Sequence, residues 1–219
     1  MPVKLYYSQS GYTSRSILLL AKALDISLTL QKVDFQQGEH LAEDFVEINP
    51  QHTVPFIVDE GLAIAETGAI MMYLAEEYGK DDMLYPKDIK ARAIVNHRMF
   101  FCYSTLLPRI ASAYMIPVMY KGRGVNEEEI PKVDDGFNTL NAFLEGKQWF
   151  AGDQVTIADY AFFTVVSTME AIGYELDKYE NIKAWLMNCK ETFEDYDDIN
   201  QKGEEMLVSI YKAKLSENE

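Results

Sequence analysis

Cysteine is scarce in this chain. Its two thiols, Cys102 and Cys189, stand far apart and in no CxxC or metal-ligand spacing. That excludes a disulfide scaffold and reads as two reduced, buried thiols of an intracellular protein. No His, Cys and Asp spacing suggests a metal site either, so no metal is expected. Positive charge is the second shortage: 20 Lys and Arg against 35 Asp and Glu leave a formal charge of −15. Such a field argues against a nucleic-acid backbone or an anionic membrane surface as partner. An anionic ligand must then be held by local donors. Long apolar runs are also missing. Nothing approaches the ~18 residues of a membrane span, and residues 1–8 turn polar too early for a signal-peptide core, so a cytoplasmic protein is expected. Repetitive and Pro/Gly-rich tracts are absent as well. With 219 residues, 48% of them hydrophobic, the chain is long enough for one large domain or two small ones.

The first third alternates strand and helix signals. Residues 3–7 read as a strand, 8–14 as a polar loop, 15–24 as an apolar helix and 28–33 as a second strand. A helical patch over 39–46 leads into 48–55, where two prolines rule out regular structure. Residues 56–58 and 62–65 flank Asp59-Glu60-Gly61 and form a hairpin, after which Ala69, Ile70, Tyr73 and Leu74 recur at helical spacing up to Tyr78. This order indicates a small mixed sheet covered by helices. Residues 79–88 combine Gly, Pro and charge without periodicity and read as a linker. From Ile89 to the end the pattern is helical, punctuated by Pro108, Pro117, Pro131 and several glycines. The expected organisation is therefore an α/β domain over 1–78, a linker over 79–88 and an all-α domain over 89–219. The acidic clusters at 126–135 and 194–198 read as solvated faces or amino-terminal helix turns.

Two segments carry chemical signals. In Thr53-Val54-Pro55-Phe56 the residue before proline is pushed to extended geometry, and a cis bond would expose the Val54 backbone to a ligand. Glu66-Thr67-Gly68 places an acid and a hydroxyl at the start of a helix, where backbone N–H groups favour a carboxylate. Taken alone, each has a plain structural reading, as a turn and as a helix cap. Together with GEHL (38–41), NPQHTVP (49–55), ETGAI with MMYL (66–74) and VTIAD (155–159), they resemble the cytosolic glutathione transferases, most closely the arthropod delta and epsilon classes. The four motifs occur in order, and the resemblance runs from the first strand to about Tyr211.

The resemblance implies a thioredoxin-like amino-terminal domain, an all-helical carboxy-terminal domain and a homodimer. It also implies glutathione as co-substrate. By resemblance, Glu66 holds the γ-glutamyl ammonium, Thr67 and helix-start N–H groups hold its carboxylate, His40 and His52 grip the glycyl carboxylate, and the Val54 backbone pairs with the cysteinyl amide. Val155-Thr156-Ile157-Ala158-Asp159 differs in kind: Thr156 and Asp159 have the spacing of a capping box before an apolar run, and their expected role is folding. His97, among Arg92, Arg98 and apolar residues of a helix, reads as structural.

A transferase must also activate sulfur. A thiol of pKa ~8.5 is only roughly 3% ionised at pH 7, and two units of depression need about 2.7 kcal/mol of preferential thiolate stabilisation. One good hydrogen bond has that size. In the delta and epsilon classes the donor is a serine four residues before the arginine that begins the first helix. Here that position is Gly11. Ser10, Tyr12 and backbone N–H groups near the helix start remain as candidate donors. The arginine that usually follows the acid and hydroxyl pair is likewise replaced, by Gly68. The second substrate, a small hydrophobic electrophile, is expected against Leu107, Ile110, Tyr114, Met115 and Met119, on a helix that Pro108 and Pro117 bend or interrupt. Conjugation of glutathione to such electrophiles, as in detoxification, is the leading functional reading. A carrier of glutathione and hydrophobic ligands with little transferase activity is the alternative, and a glutathione-dependent isomerase or peroxidase a weaker third.

Overall fold

A computed structural model describes residues 2–217. Strands β1 (Val3–Tyr7), β2 (Leu28–Lys32), β3 (Phe56–Asp59) and β4 (Leu62–Ala65) form one mixed sheet in the order β2-β1-β3-β4. β1 runs parallel to β2, with Leu5 opposite Leu30, and antiparallel to β3, with Leu5 opposite Ile57. A parallel neighbour needs a crossover, which helix α1 (Tyr12–Ala23) supplies. Alternation along β1 sends Val3 and Leu5 to one face, where they join Ile17 and Leu20 of α1 and Ile70 and Leu74 of α3 (Thr67–Tyr78) in the core. Tyr6 points to the other face and stacks on Phe56 at 4.1 Å, beside Phe45 of the short helix α2 (Glu43–Ile48). This is the small mixed sheet with helical cover that the alternation of strand and helix signals implies.

Two boundaries differ from the sequence expectation. Helix α1 starts at Tyr12, three residues before Arg15, because Gly11 takes extended geometry (φ −71°, ψ 118°) and caps the helix without a side chain. The polar residues Tyr12, Thr13 and Ser14 are therefore its first turn and not a loop. The helical patch over 39–46 divides into a 3₁₀ turn, Glu39–Leu41, and α2, with Ala42 extended between them (φ −63°, ψ 145°).

Residues 79–88 are irregular and end in Asp88, which caps α4 (Ile89–Phe101) by accepting from the Lys90 and Ala91 N–H groups. Helices α5 (Leu107–Ile110), α6 (Ile116–Tyr120), α7 (Ile130–Phe143), α8 (Ile157–Ala171), α9 (Glu180–Thr192) and α10 (Lys202–Ser216) follow. Helix α8 is buried from Ile157 to Met169 and forms the axis of this half. Its entry is the capping box: the Asp159 carboxylate accepts from the Thr156 N–H at 2.9 Å, the Thr156 hydroxyl at 3.2 Å, the Phe150 N–H at 3.0 Å and Trp185 Nε1 at 3.0 Å. Burial pushes this carboxyl up to about 6, against the pull of those donors.

The two prolines of the long helix act through their missing N–H. Each lies just beyond a single π turn, Cys102–Leu106 before Pro108 and Ala111–Met115 before Pro117. There the Leu107 and Ile116 N–H groups bond five residues back, to Cys102 and Ala111. Pro117 cannot donate to the Ala113 carbonyl four residues earlier. The Asn126 N–H, returning from the following loop, takes that carbonyl at 2.8 Å. Cys102 and Cys189 are buried free thiols.

Candidate active site

A cleft of about 560 Å³ opens between the sheet domain and the helical domain. Its floor is the 8–14 segment, where β1 passes into α1. The Gly11 N–H donates to the Ser8 carbonyl at 3.1 Å, Ser14 Oγ accepts from the Ser8 N–H at 3.2 Å, and the Ser8 and Ser10 hydroxyls lie 3.4 Å apart. This knot turns Ser10 and Tyr12 toward the cleft, where both are lining residues. Gly11 is tight: a Cβ there would lie 3.3 Å from the Ser8 carbonyl oxygen and 3.4 Å from Ser14 Oγ. Burial pushes the Tyr12 phenol up to about 12, so near neutral pH it is a neutral donor and not a phenolate base.

Val54 forms part of the same wall, and the Val54-Pro55 bond is cis. The turn leading to it is held by Asn49, which is buried. Asn49 Nδ2 donates to the Thr53 carbonyl at 2.9 Å, while its Oδ1 accepts from the Gln51 N–H at 3.2 Å. His52 within that turn has φ 45°, and Glu66, at the head of α3, has φ 68°. Both values are uncommon for residues with a side chain and mark a backbone over-determined by its surroundings. Gln51 Nε2 donates to Glu66 Oε1 at 2.8 Å and so ties the turn to the helix head, and Thr67 behind it is buried. The motif reading missed Gln51; its place in NPQHTVP was the available signal.

The candidate residues therefore fall into two groups. Ser10, Tyr12, Val54, Leu107, Met115 and Met119 line one cleft. His40, His52, Glu66 and Thr67 lie beyond its lining: His52 sits on the turn two residues before Val54, and Glu66 is joined to that turn through Gln51. His40 packs its ring 4.5 Å from Phe35, which does line the cleft, and its Nδ1 is buried without a partner.

Ile110 and Tyr114 are turned elsewhere. Ile110 is 1% exposed in the core, and the Tyr114 ring meets Tyr174 edge-on at 6.0 Å. Across the π turn the cleft face runs Leu107, Ala111, Met115, Met119, so residues one place earlier face inward. The expected pocket places of Ile110 and Tyr114 are corrected on that ground: both sit one position off the lining stripe, Ile110 in the core and Tyr114 against Tyr174. The cleft instead gains Ile116 and Tyr120 from α6 and Met206, Leu207 and Ile210 from α10. The spacing of the last three shows an apolar stripe in the sequence, but nothing in it names what the stripe faces. At Gly68, a Cβ would lie 3.2 Å from the Tyr103 ring, so an aromatic side chain occupies the space in front of that position.

This architecture, a strand-to-helix turn with hydroxyl donors under an apolar helical wall, is suited to holding a thiol beside a hydrophobic electrophile. Comparison with known proteins agrees. The family "Glutathione S-transferase, N-terminal domain" matches residues 1–76, and "Glutathione S-transferase, C-terminal domain" matches residues 95–192. Glutathione S-transferase D7 of Anopheles gambiae is 38% identical over 215 residues, covering 97% of this chain and 98% of that protein. A delta-class glutathione transferase of Nilaparvata lugens superposes with a TM-score of 0.94 at 40% identity, covering 97% of this chain and 100% of the other. A diazinon-metabolizing glutathione S-transferase of the silkworm Bombyx mori superposes with a TM-score of 0.86 at 31% identity, covering 95% and 100%. The chain belongs to the glutathione S-transferase family, with its affinity among the insect delta and epsilon classes.

Proposed function

We propose that this transferase joins the glutathione sulfur to small hydrophobic electrophiles in the manner of detoxification enzymes. The observation that carries this reading is the single cleft in which Ser10, Tyr12 and Val54 face Leu107, Met115 and Met119. Glu66 takes the γ-glutamyl ammonium, with Gln51 orienting its carboxylate, and Thr67 and the α3 amino terminus take the adjoining carboxylate. His40 and His52 take the glycyl carboxylate, and the Val54 backbone pairs with the cysteinyl amide. The sulfur then lies over the 8–12 segment, where Ser10, with Tyr12 as second donor, favours the thiolate. The thiolate attacks the electrophilic carbon, the carbon–sulfur bond forms as the leaving group departs with its electron pair, and the thiol proton goes to solvent.

The methionine-rich wall, Met115, Met119 and Met206, adapts to ligands of differing shape and supports a broad electrophile range. The absence of a hydroxyl at Gly11 favours a second reading, a carrier that binds glutathione without activating it. Calorimetry with S-methylglutathione, run beside turnover of a generic aromatic electrophile, separates them: binding with turnover supports the transferase, and binding alone supports the carrier. Failure to bind would refute both. A homodimer in the cytoplasm fits the family resemblance, and α4 leaves Ile89, Ile94 and Phe100 exposed as an apolar surface for a second copy. Sedimentation at a mass near 25.1 kDa in place of its double would count against the dimer.

A further inference from the structure

The start of α10 packs against the floor of the cleft more closely than any side chain allows. A methyl group on Gly203 would overlap the Gln9 carbonyl oxygen and lie 2.6 Å from Arg15 Cδ. Gly203 is helical, so glycine is required here for close approach and not for an unusual backbone angle. The Gln9 carbonyl belongs to the peptide unit that carries the Ser10 N–H, and the bare Gly203 backbone is what that unit rests on.

Arg15 holds the same junction from inside. Fully buried in the first turns of α1, it donates through Nη1 to the Asn200 carbonyl at 3.2 Å and to Asn200 Oδ1. Its Nη2 donates to Thr168 Oγ1 of α8 at 2.6 Å, and Glu204 Oε2 stands 3.7 Å from Nη1. Asn200 is fixed in turn by its own donation to Ser167 Oγ at 3.0 Å. Further along α10, Met206, Leu207 and Ile210 form part of the electrophile side of the cleft. One helix thus supports the floor with its first turn and lines the wall with its next two.

We propose that Gly203 is a positioning residue: its bare backbone seats the 8–12 segment at the height where the Ser10 and Tyr12 donors meet the glutathione sulfur. The inference rests on the transferase reading of the cleft. Displacing a donor by about 1 Å costs up to about a hundredfold in a positioned reaction. The residues proposed to grip the two ends of glutathione, at 40, 52, 54, 66 and 67, lie on other elements. Disturbing Gly203 therefore separates activation of the thiol from binding of the tripeptide.

The test uses the full chain and its Gly203→Ala variant. Three quantities are measured: the thiol pKa of bound glutathione from thiolate absorbance, the pH dependence of conjugation, and the affinity for S-methylglutathione by calorimetry. In the variant, the thiol pKa should rise by about one unit and conjugation near pH 6.5 should fall about tenfold. The S-methylglutathione Kd should stay within about twofold. Lys202→Ala, an exposed neighbour, should change none of these. An unchanged thiol pKa in folded Gly203→Ala, or a loss of affinity and melting temperature with the pKa unmoved, would overturn the inference. If Gly203→Ala does not fold, Asn200→Ala, which loosens the Arg15 clamp and keeps the glycine, should move the pKa in the same direction; no movement there would also overturn it. Absence of S-methylglutathione binding by the unaltered protein would instead defeat the transferase reading itself.

Discussion

On the sheet side of the cleft, the backbone does the shaping. A cis Val54-Pro55 bond and a left-handed angle at His52 shape the turn before β3, a left-handed angle at Glu66 opens α3, and Gly11 starts α1 without a side-chain cap. On the helical side the backbone is a nearly continuous rod, and shape comes from which side chains two π turns and α10 rotate into the cleft. The first wall presents hydroxyls and peptide groups at fixed places, as recognition of one tripeptide requires. The second presents methionine and aliphatic side chains on a surface that tolerates many shapes. Under the proposed function, that difference would make the protein strict toward its co-substrate and permissive toward its electrophile.

Five substitutions test that division, beginning with the largest effect. Asp159→Ala removes the acceptor shared by the Phe150 and Thr156 N–H groups, the Thr156 hydroxyl and Trp185 Nε1, stripping four buried donors of that partner behind the helical wall. Thermal or denaturant unfolding should show a loss of about 3 kcal/mol or more. A loss under about 1 kcal/mol would mean that the capping box does not anchor this half. Glu66→Ala should weaken S-methylglutathione binding about 10- to 100-fold, the size of a lost charge-assisted bond to an ammonium. Unchanged affinity in calorimetry would remove Glu66 from the polar wall.

Ser10→Ala and Tyr12→Phe sharpen the comparison at the floor. Removal of the true donor should raise the apparent thiol pKa by about one unit and leave the other variant near the unaltered value. Because burial holds the Tyr12 phenol at about 12, the acid limb of the conjugation profile belongs to the thiol in both proteins. A limb that disappears in Tyr12→Phe would contradict this. Pro117→Ala gives the smallest change. It supplies an N–H that competes with Asn126 for the Ala113 carbonyl and favours an α turn over the π turn. The ratio of kcat/KM for a bulky against a small electrophile should shift about fivefold, with glutathione affinity constant. A change confined to glutathione affinity would show that the two walls are not separable in this way.

Much of the sheet domain was legible because its signals are local. Alternation set β1 and the hairpin, and helical spacing from Ala69 carried α3 to Tyr78. The start of α1 was not legible, since Tyr12, Thr13 and Ser14 are polar for the sake of the cleft and so disguise a helical turn. In the helical half, Thr156 and Asp159 announced a capping box through spacing alone, and both reciprocal bonds are present. The lining stripe was only partly legible: Ile110 and Tyr114 recur at helical spacing like their neighbours, and only packing, Ile110 in the core and Tyr114 against Tyr174, sets them one position off the stripe. The contribution of α10 was hidden more deeply. Its Gly203 and the fully buried Arg15 gain their meaning from contacts across most of the chain, Gly203 against the Gln9 carbonyl and Arg15 with Asn200 and Thr168.

The central claim is that the 8–12 segment activates sulfur although Gly11 carries no hydroxyl. An ultraviolet difference titration of bound glutathione against pH measures this directly. The account predicts an apparent thiol pKa about one to two units below the free value of ~8.5, together with turnover of an aromatic electrophile. Firm glutathione binding with an unshifted thiol pKa and no turnover would contradict it.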